Sequence, residues 1–275
     1  MPRTTRFSAI ALTALNEEAQ AVRDEVRADG GEVNPWKGIP GMENVRELRL
    51  EAPRCRALLA TAPRMGNVYA AVTTTRIAES IRRKEIYAHS FVLLGISGAN
   101  PTHSTAPRLG DVILGDQVFE HDYGQKLDPS IGGSDGTKRQ GYSLPIHAAS
   151  EVHAYIVEED MKTWLKRSVP RATGERGRSR QHIGRVVVGA VASGDYVIKS
   201  AAKREELVKA YPQTVAIEME AVGVAHALSQ IPGIRFVFIK GVVDFCDGKK
   251  TDVWHAAAAR NAAALFVYLL RAGAL

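Results

Sequence analysis

Apolar runs punctuate the chain at Ser8–Leu15, Ala57–Ala62, Ser90–Leu94, Asp111–Leu114, Val186–Ala192, Thr214–Ile217 and Phe236–Lys240. Continuous rather than alternating runs suit strands that are covered on both faces. Between them the pattern changes to a helical period. Glu17–Asp29 follows the first run, and Asn67–Lys84 sets Val68, Val72, Ile77 and Ile81 at helical intervals. Glu220–Gln230 is small and apolar on one side, and Val253–Arg271 carries Trp254, Ala258, Leu265 and Leu269 near helical spacing, with Asp252 as its cap. Strands alternating with helices predict an α/β fold, a mixed or parallel sheet with helices on both sides. Two stretches break the rhythm: Asp128–Gly141, rich in Gly, Ser and Lys, and Pro170–Gln181, which carries Arg171, Arg176, Arg178 and Arg180. Both read as loop insertions, either solvated or, for one of them, contributing to a lid or meeting anionic groups. With no internal repeat and no clean linker, the pattern predicts a single domain over 1–275.

Composition narrows the class. At 45% hydrophobic and 24% charged residues the chain reads as an ordinary globular protein. Cys55 and Cys246 lie in no CxxC or Cys/His cluster, which points to a reducing compartment, the cytoplasm. The run after Arg6 is too short for a membrane span and ends in Asn16-Glu17-Glu18 rather than a small-residue cleavage site, so neither a membrane segment nor a signal peptide is expected. A net charge of +6 fits an anionic substrate or a basic surface. Without an RNP motif, a zinc finger or an aromatic–basic stripe, it does not indicate a nucleic-acid partner. The histidines form no HExxH or facial-triad pattern, so no metal or other cofactor is expected. No G-x-S-x-G elbow or P-loop is present.

Three acidic clusters follow apolar runs, and the C-terminal ends of strands are the usual ligand edge of open α/β sheets. Asn16-Glu17-Glu18 could orient a water or could simply favour a helix N-terminus. Glu218-Met219-Glu220 opens a small-residue helix, where Glu220 could accept from vicinal hydroxyls and Met219 could cover a ring; helix-start acids fit equally. Asp244 stands between Val243 and Phe245, where partial burial would favour its protonated form; it could also cap the following turn. Glycine turns at Gly95-Ile96-Ser97-Gly98-Ala99 and Pro63-Arg64-Met65-Gly66-Asn67 could bring backbone N–H groups to a ligand.

The order of these segments resembles the nucleoside phosphorylase/nucleosidase superfamily, and within it the methylthioadenosine/S-adenosylhomocysteine nucleosidases. The resemblance runs through Ile10–Glu18, Arg64–Ala71, Gly95–Ala99 with Leu109–Ile113, Ser193–Ile198, Glu218–Ala221 and Val243–Asp247. It implies the nucleoside phosphorylase fold, three α/β/α layers around a mixed, partly barrel-like sheet. It also implies cleavage of the N-glycosidic bond of a purine nucleoside or nucleotide. By position, Glu18 matches the acid that activates water, Met219 and Glu220 the ribose contacts, and Asp244 the acid that protonates the purine at N7. Val197 and Ile198 match the purine-binding segment, with Tyr196 as an alternative stacking group, and Ser97 and Gly98 match the turn beside base and sugar. Phosphorylases of the superfamily carry a phosphate-binding arginine where Leu93 stands here, which leans towards water as nucleophile; Arg64 could partly replace that charge. A serine often precedes the acid in the nucleosidases, where this chain has Val243.

The tail from Lys240 to Ala258 resembles nucleosidase domains of immune-type proteins, some of which strip adenine from nucleotides, including ATP, in antiviral defence. Arg64, Arg108, His121, Lys126, Lys249 and the Pro170–Gln181 arginines are candidate phosphate contacts. A homo-oligomer, dimer or hexamer, is the family's assembly. The alternatives are a salvage nucleosidase, a phosphate-dependent phosphorylase and a non-catalytic nucleoside sensor.

Overall fold

The computed structural model describes residues 4–51, 53–126, 137–139, 143–157, 160, 163–164, 184–248 and 253–275. In chain order the elements are β1 (Thr5–Thr13), α1 (Asn16–Ala28), β2 (Glu32–Pro35), β3 (Val45–Glu51), β4 (Arg54–Thr61), α2 (Asn67–Arg82) and β5 (Ile86–Ala99). Then come β6 (Val112–Glu120), β7 (Gly124–Lys126), β8 (Thr137–Arg139), β9 (Ser143–Pro145), α3 (Ala148–His153) and β10 (Val186–Ser193). The chain closes with α4 (Ala201–Ala210), β11 (Thr214–Glu218), α5 (Ala221–Leu228), β12 (Arg235–Asp244) and α6 (Val253–Arg271). Apart from Thr137–Arg139 in β8, most of the Asp128–Gly141 insertion lies outside the described residues, as does all of Pro170–Gln181. No helix among the described residues is long and apolar enough to cross a membrane.

The main sheet runs β11-β10-β6-β12-β5-β1-β4-β3-β2, mixing parallel and antiparallel pairs. The far end of β5 also pairs with β11, Gly98 opposite Ile217 and Ala99 opposite Ala216. Five strands therefore return on themselves, and β1 to β4 extend from β5 as an open wing. This is the partly closed mixed sheet that the resemblance implied.

Alternate side chains of each strand serve opposite layers, as a period of two requires. Ala9, Ala11, Val92 and Leu94 pack with α1 (Ala19, Val22, Val26) and α6 (Ala262, Leu265, Phe266, Leu269) on one face. Ile10, Leu12, Phe91 and Leu93 pack with α2 (Ala70, Ile77) and α5 (Val222, Val224) on the other. A fully buried Leu, Ile, Val or Phe contributes about 1.5–3 kcal/mol, so these faces fix both helical layers against the sheet.

The strands are longer than the apolar runs predict. Gly95-Ile96-Ser97-Gly98-Ala99 is not a turn but the end of β5, and Gly241 to Asp244 is the end of β12. The cause is tertiary: β12 pairs with β5 out to Gly98, and β11 adds antiparallel pairs there. Backbone groups satisfied from both sides carry the strand through glycine.

Candidate active site

Glu18 is the third residue of α1 and turns back under β1. Its Oε2 accepts from the N–H groups of Ala14 and Leu15, both at 2.9 Å, and its Oε1 accepts from the N–H of Ile96 on β5, also at 2.9 Å. One carboxylate thus receives the chain as it leaves β1 and ties helix to sheet. The approach is so close that a Cβ at Gly95 would lie 2.3 Å from Glu18 Oε1, which only glycine permits. Burial raises the Glu18 carboxyl from its ordinary range to about 7, with the nearby Lys240 ammonium pulling the other way and Glu220 adding to the rise.

Glu218 and Glu220, which look alike in sequence, have different tasks. Glu218 ends β11 and accepts from the N–H groups of Glu220 and Ala221, each at 3.0 Å, closing the open N-terminus of α5. Glu220 accepts from the N–H of Gly66 at 3.0 Å, which holds the turn before α2. Lys240 of β12 donates to Glu218 Oε2 at 2.9 Å and to Glu220 Oε2 at 2.6 Å. Burial works against its ammonium, but Glu218 and Glu220 outweigh burial and push the Lys240 pKa up. Burial likewise disfavours the Glu220 carboxylate, and Lys240 overrides it, holding Glu220 below the usual carboxylate range. The result is a carboxylate that stays ionised in a dry site. Asn67 completes the frame: its Oδ1 accepts from Gly223 N–H at 2.9 Å, and its own N–H donates to Asp195 at 3.2 Å.

Asp244 arrives through a bulge. Val242 pairs with Ser97 and Asp244 pairs with Gly98, leaving Val243 as the extra residue. Oδ1 of Asp244 accepts from the N–H of Cys246 at 3.0 Å, so backbone holds the acid where Val243 replaces the family's serine. Arg204 of α4, itself buried, donates to the Phe245 carbonyl at 2.7 Å and fixes the turn beyond. Burial, and after it the Asp244 carboxylate, pushes the Cys246 thiol up, so it remains protonated.

One cavity gathers nine of the residues singled out from sequence: Glu18, Ser97, Gly98, Tyr196, Val197, Ile198, Met219, Glu220 and Asp244. Ala14, Leu15, Met65, Ile96, Ile217, Glu218, Val243, Cys246 and His255 also line it. The Ser97 side chain is buried, and its hydroxyl has no hydrogen-bond partner among the described residues. Tyr196 and Val197 are exposed at the rim. Arg64 does not line the cavity. It is exposed, with its guanidinium carbon 5.9 Å from the Tyr69 ring centroid, and Met65 is the residue of that turn that lines the cavity. Arg108 and His121 do not line it either, His121 being buried behind Gly194. The Lys126 side chain, Lys249 and the arginine-rich segment lie outside the described residues.

Sequence reasoning passed over Lys240 as the end of an apolar strand. Its signal was present: a lysine at the end of Phe236–Ile239 and followed by Gly-Val-Val has nowhere to put its charge except against a buried acid.

The sequence profile of the phosphorylase superfamily matches residues 9–272. The chain belongs to this superfamily. Among individual members, it is 23% identical over 222 residues to the ATP nucleosidase Cap17 of Escherichia coli. That alignment takes in 78% of this chain but 41% of the relative, so the chain spans about two fifths of that protein's length. It is 26% identical over 194 residues to the 5′-methylthioadenosine/S-adenosylhomocysteine nucleosidase of Staphylococcus aureus, covering 70% of this chain and 71% of the relative. The fold matches the Neisseria meningitidis nucleosidase of the same name, solved with methylthio-immucillin-A, at a TM-score of 0.65 and 20% identity, over 96% of this superfamily member and 98% of that chain.

Proposed function

We propose that this chain hydrolyses the N-glycosidic bond of a purine nucleoside or nucleotide and releases adenine. The observation that carries the reading is the convergence of Glu18, the Lys240-held Glu220 and Asp244 on one cavity. Breaking this bond builds positive charge on the ribose and negative charge on the departing base. Asp244 protonates the purine at N7 as the bond stretches. Glu220, kept ionised by Lys240, accepts from the vicinal ribose hydroxyls and faces the developing cation. Glu18 takes a proton from the attacking water. Met219 covers the sugar, Val197, Ile198 and Tyr196 cover the base, and the Ser97 hydroxyl meets a polar group of the substrate.

Water rather than phosphate fits this site. Leu93, at the position of the phosphorylase arginine, is buried in the core, in register with Leu12 and Phe238. Lys240 is already committed to two carboxylates. Likeness to an ATP nucleosidase supports a nucleotide as substrate and depletion of adenine nucleotides in defence as its purpose. Two free cysteines are in keeping with a cytoplasmic setting. A homo-oligomer is part of the reading, supported by exposed Val68, Tyr69 and Val72 on α2 beside exposed Met65, Tyr196 and Val197.

The test is purified protein with ATP, AMP, adenosine and methylthioadenosine, with and without phosphate, read by mass. Free adenine and ribose products without phosphate are expected. Products that form only with phosphate, as sugar 1-phosphates, would overturn hydrolysis.

A further inference from the structure

Arg204 of α4 is buried, yet no buried carboxylate among the described residues pairs with it. Its ion-pair partner is Glu205, at 3.5 Å and with a side chain 70% exposed. Taking a guanidinium out of water is costly without a fixed acceptor. The acceptor here is the Phe245 carbonyl, 2.7 Å from Nη1. That carbonyl belongs to the same peptide unit as the Cys246 N–H, which donates to Asp244 Oδ1 at 3.0 Å. One peptide is therefore gripped at both ends, by Arg204 on its oxygen and by Asp244 on its nitrogen. Cys246 itself has a φ of 55°, in the left-handed region that a side chain rarely adopts. Such a conformation persists only where its surroundings impose it.

Resting on the nucleosidase reading, we infer that Arg204 is a positioning residue for the general acid: it holds the Phe245–Cys246 peptide so that the N–H stays on Asp244 and the acid's other oxygen is left to the purine. Arg204 does not line the cavity, so it acts through Asp244 rather than on the substrate. Without the guanidinium, a flip of that peptide plane relieves the strain at Cys246 and carries the N–H away from Asp244. Charge adds to geometry. A cation on the carbonyl oxygen polarises the peptide, and its N–H becomes a stronger donor. The place of α4 explains why it bears this group. Its cap, Ser200, follows closely on Ile198 of the base segment, and Leu207 packs in one small core with Ile198, Ile217 and Cys246. The wall beside the base and the turn that delivers the acid are thus tied by one helix of 10 residues.

The experiment compares two leaving groups in the wild type, Arg204→Met and Arg204→Lys. One is adenine, from the best substrate among ATP, AMP, adenosine and methylthioadenosine, which needs a proton to depart. The other is 4-nitrophenolate, from 4-nitrophenyl β-D-ribofuranoside, which departs as a stable anion. In Arg204→Met, kcat for adenine release falls about 10- to 100-fold, while kcat for the nitrophenyl riboside stays near the wild-type value. Arg204→Lys, which keeps a charged donor, recovers part of the loss. The ratio of the two rates cancels the amount of folded enzyme, and Arg204→Gln takes the place of Arg204→Met if that variant does not fold. An unchanged ratio, whether both rates fall together or neither falls, overturns the inference. If the wild type releases adenine from none of the four compounds, the hydrolase reading fails separately. Whenever the wild type leaves either group unreleased, calorimetric titration with adenine decides: affinity falls in Arg204→Met and partly returns in Arg204→Lys, or the inference falls too.

Discussion

Lys240 Nζ lies 2.6 Å from Glu220 Oε2, and the two side chains are 1% and 6% exposed. An ion pair this dry has no solvent to fall back on. Replacing Lys240 with Met leaves Glu218 and Glu220 buried without a counter-charge. The expected loss of stability is on the order of 3–5 kcal/mol, read as a lower denaturation midpoint. Lys240→Arg keeps the charge and retains most of that stability. Equal midpoints for Lys240→Met and wild type would show that the carboxylates do not depend on this lysine.

Asp244 is the only acid in the proposal that acts on the leaving base. Asp244→Asn keeps the shape and an oxygen for the Cys246 N–H but removes the proton donor. Turnover should drop by about 100-fold or more, with ligand affinity largely retained in a calorimetric titration. An unchanged rate would remove Asp244 from the chemistry.

The Glu18 pKa of about 7 predicts a pH profile. A general base works only when ionised, so kcat/KM should rise from pH 6 to pH 8 with a midpoint near 7, and Glu18→Gln should be slow and lack that rise. The same group affects folding. Its folded pKa lies above the ordinary 4.5, so the folded state keeps the proton longer. Its contribution to stability is therefore greatest below 4.5 and declines as pH climbs to about 7. A base-limb midpoint near 4.5 would mean that burial does not govern this carboxyl.

Gly98 has no room for a side chain. A Cβ there would lie 2.2 Å from Cys246 Sγ and 3.0 Å from Asp244 Oδ1. Gly98→Ala must push the Cys246 and Asp244 side chains aside, costing about 1–3 kcal/mol of stability and displacing the acid. Activity should fall more steeply than the melting temperature alone accounts for, in a comparison made well below the midpoint. Wild-type kinetics in this variant would show that Asp244 tolerates displacement.

Much of the site was legible because acids that follow apolar runs stand out. Asp244 ends β12, Glu220 and Glu18 follow within a few residues of the ends of β11 and β1, and all three line the cavity. What escaped was set by partners distant in sequence. Gly95 and Gly98 read locally as a turn, and only the pairing of β5 with β11 and β12 makes them strand. Lys240 carries meaning only once Glu218 and Glu220 are placed beside it. β3 was hidden by Arg46, Glu47 and Arg49; Glu47 is buried there, paired with Arg49 and Arg56. α4 carries little amphipathic pattern, since Arg204 and Leu207 are its buried residues.

The bulge at Val243 makes the aim of Asp244 a matter of parity. Side chains on a strand alternate sides, so an even or odd number of residues between two points decides which side each one serves. Beyond Ser97 and Val242 the two strands no longer advance in step, since β12 spends two residues where β5 spends one. Exchanging Val243 for another residue of similar bulk leaves that count intact. Deleting it would turn Asp244 to the opposite side of the sheet without altering a single functional group. The register of β12 is thus as much an active-site constraint as the carboxylate it delivers.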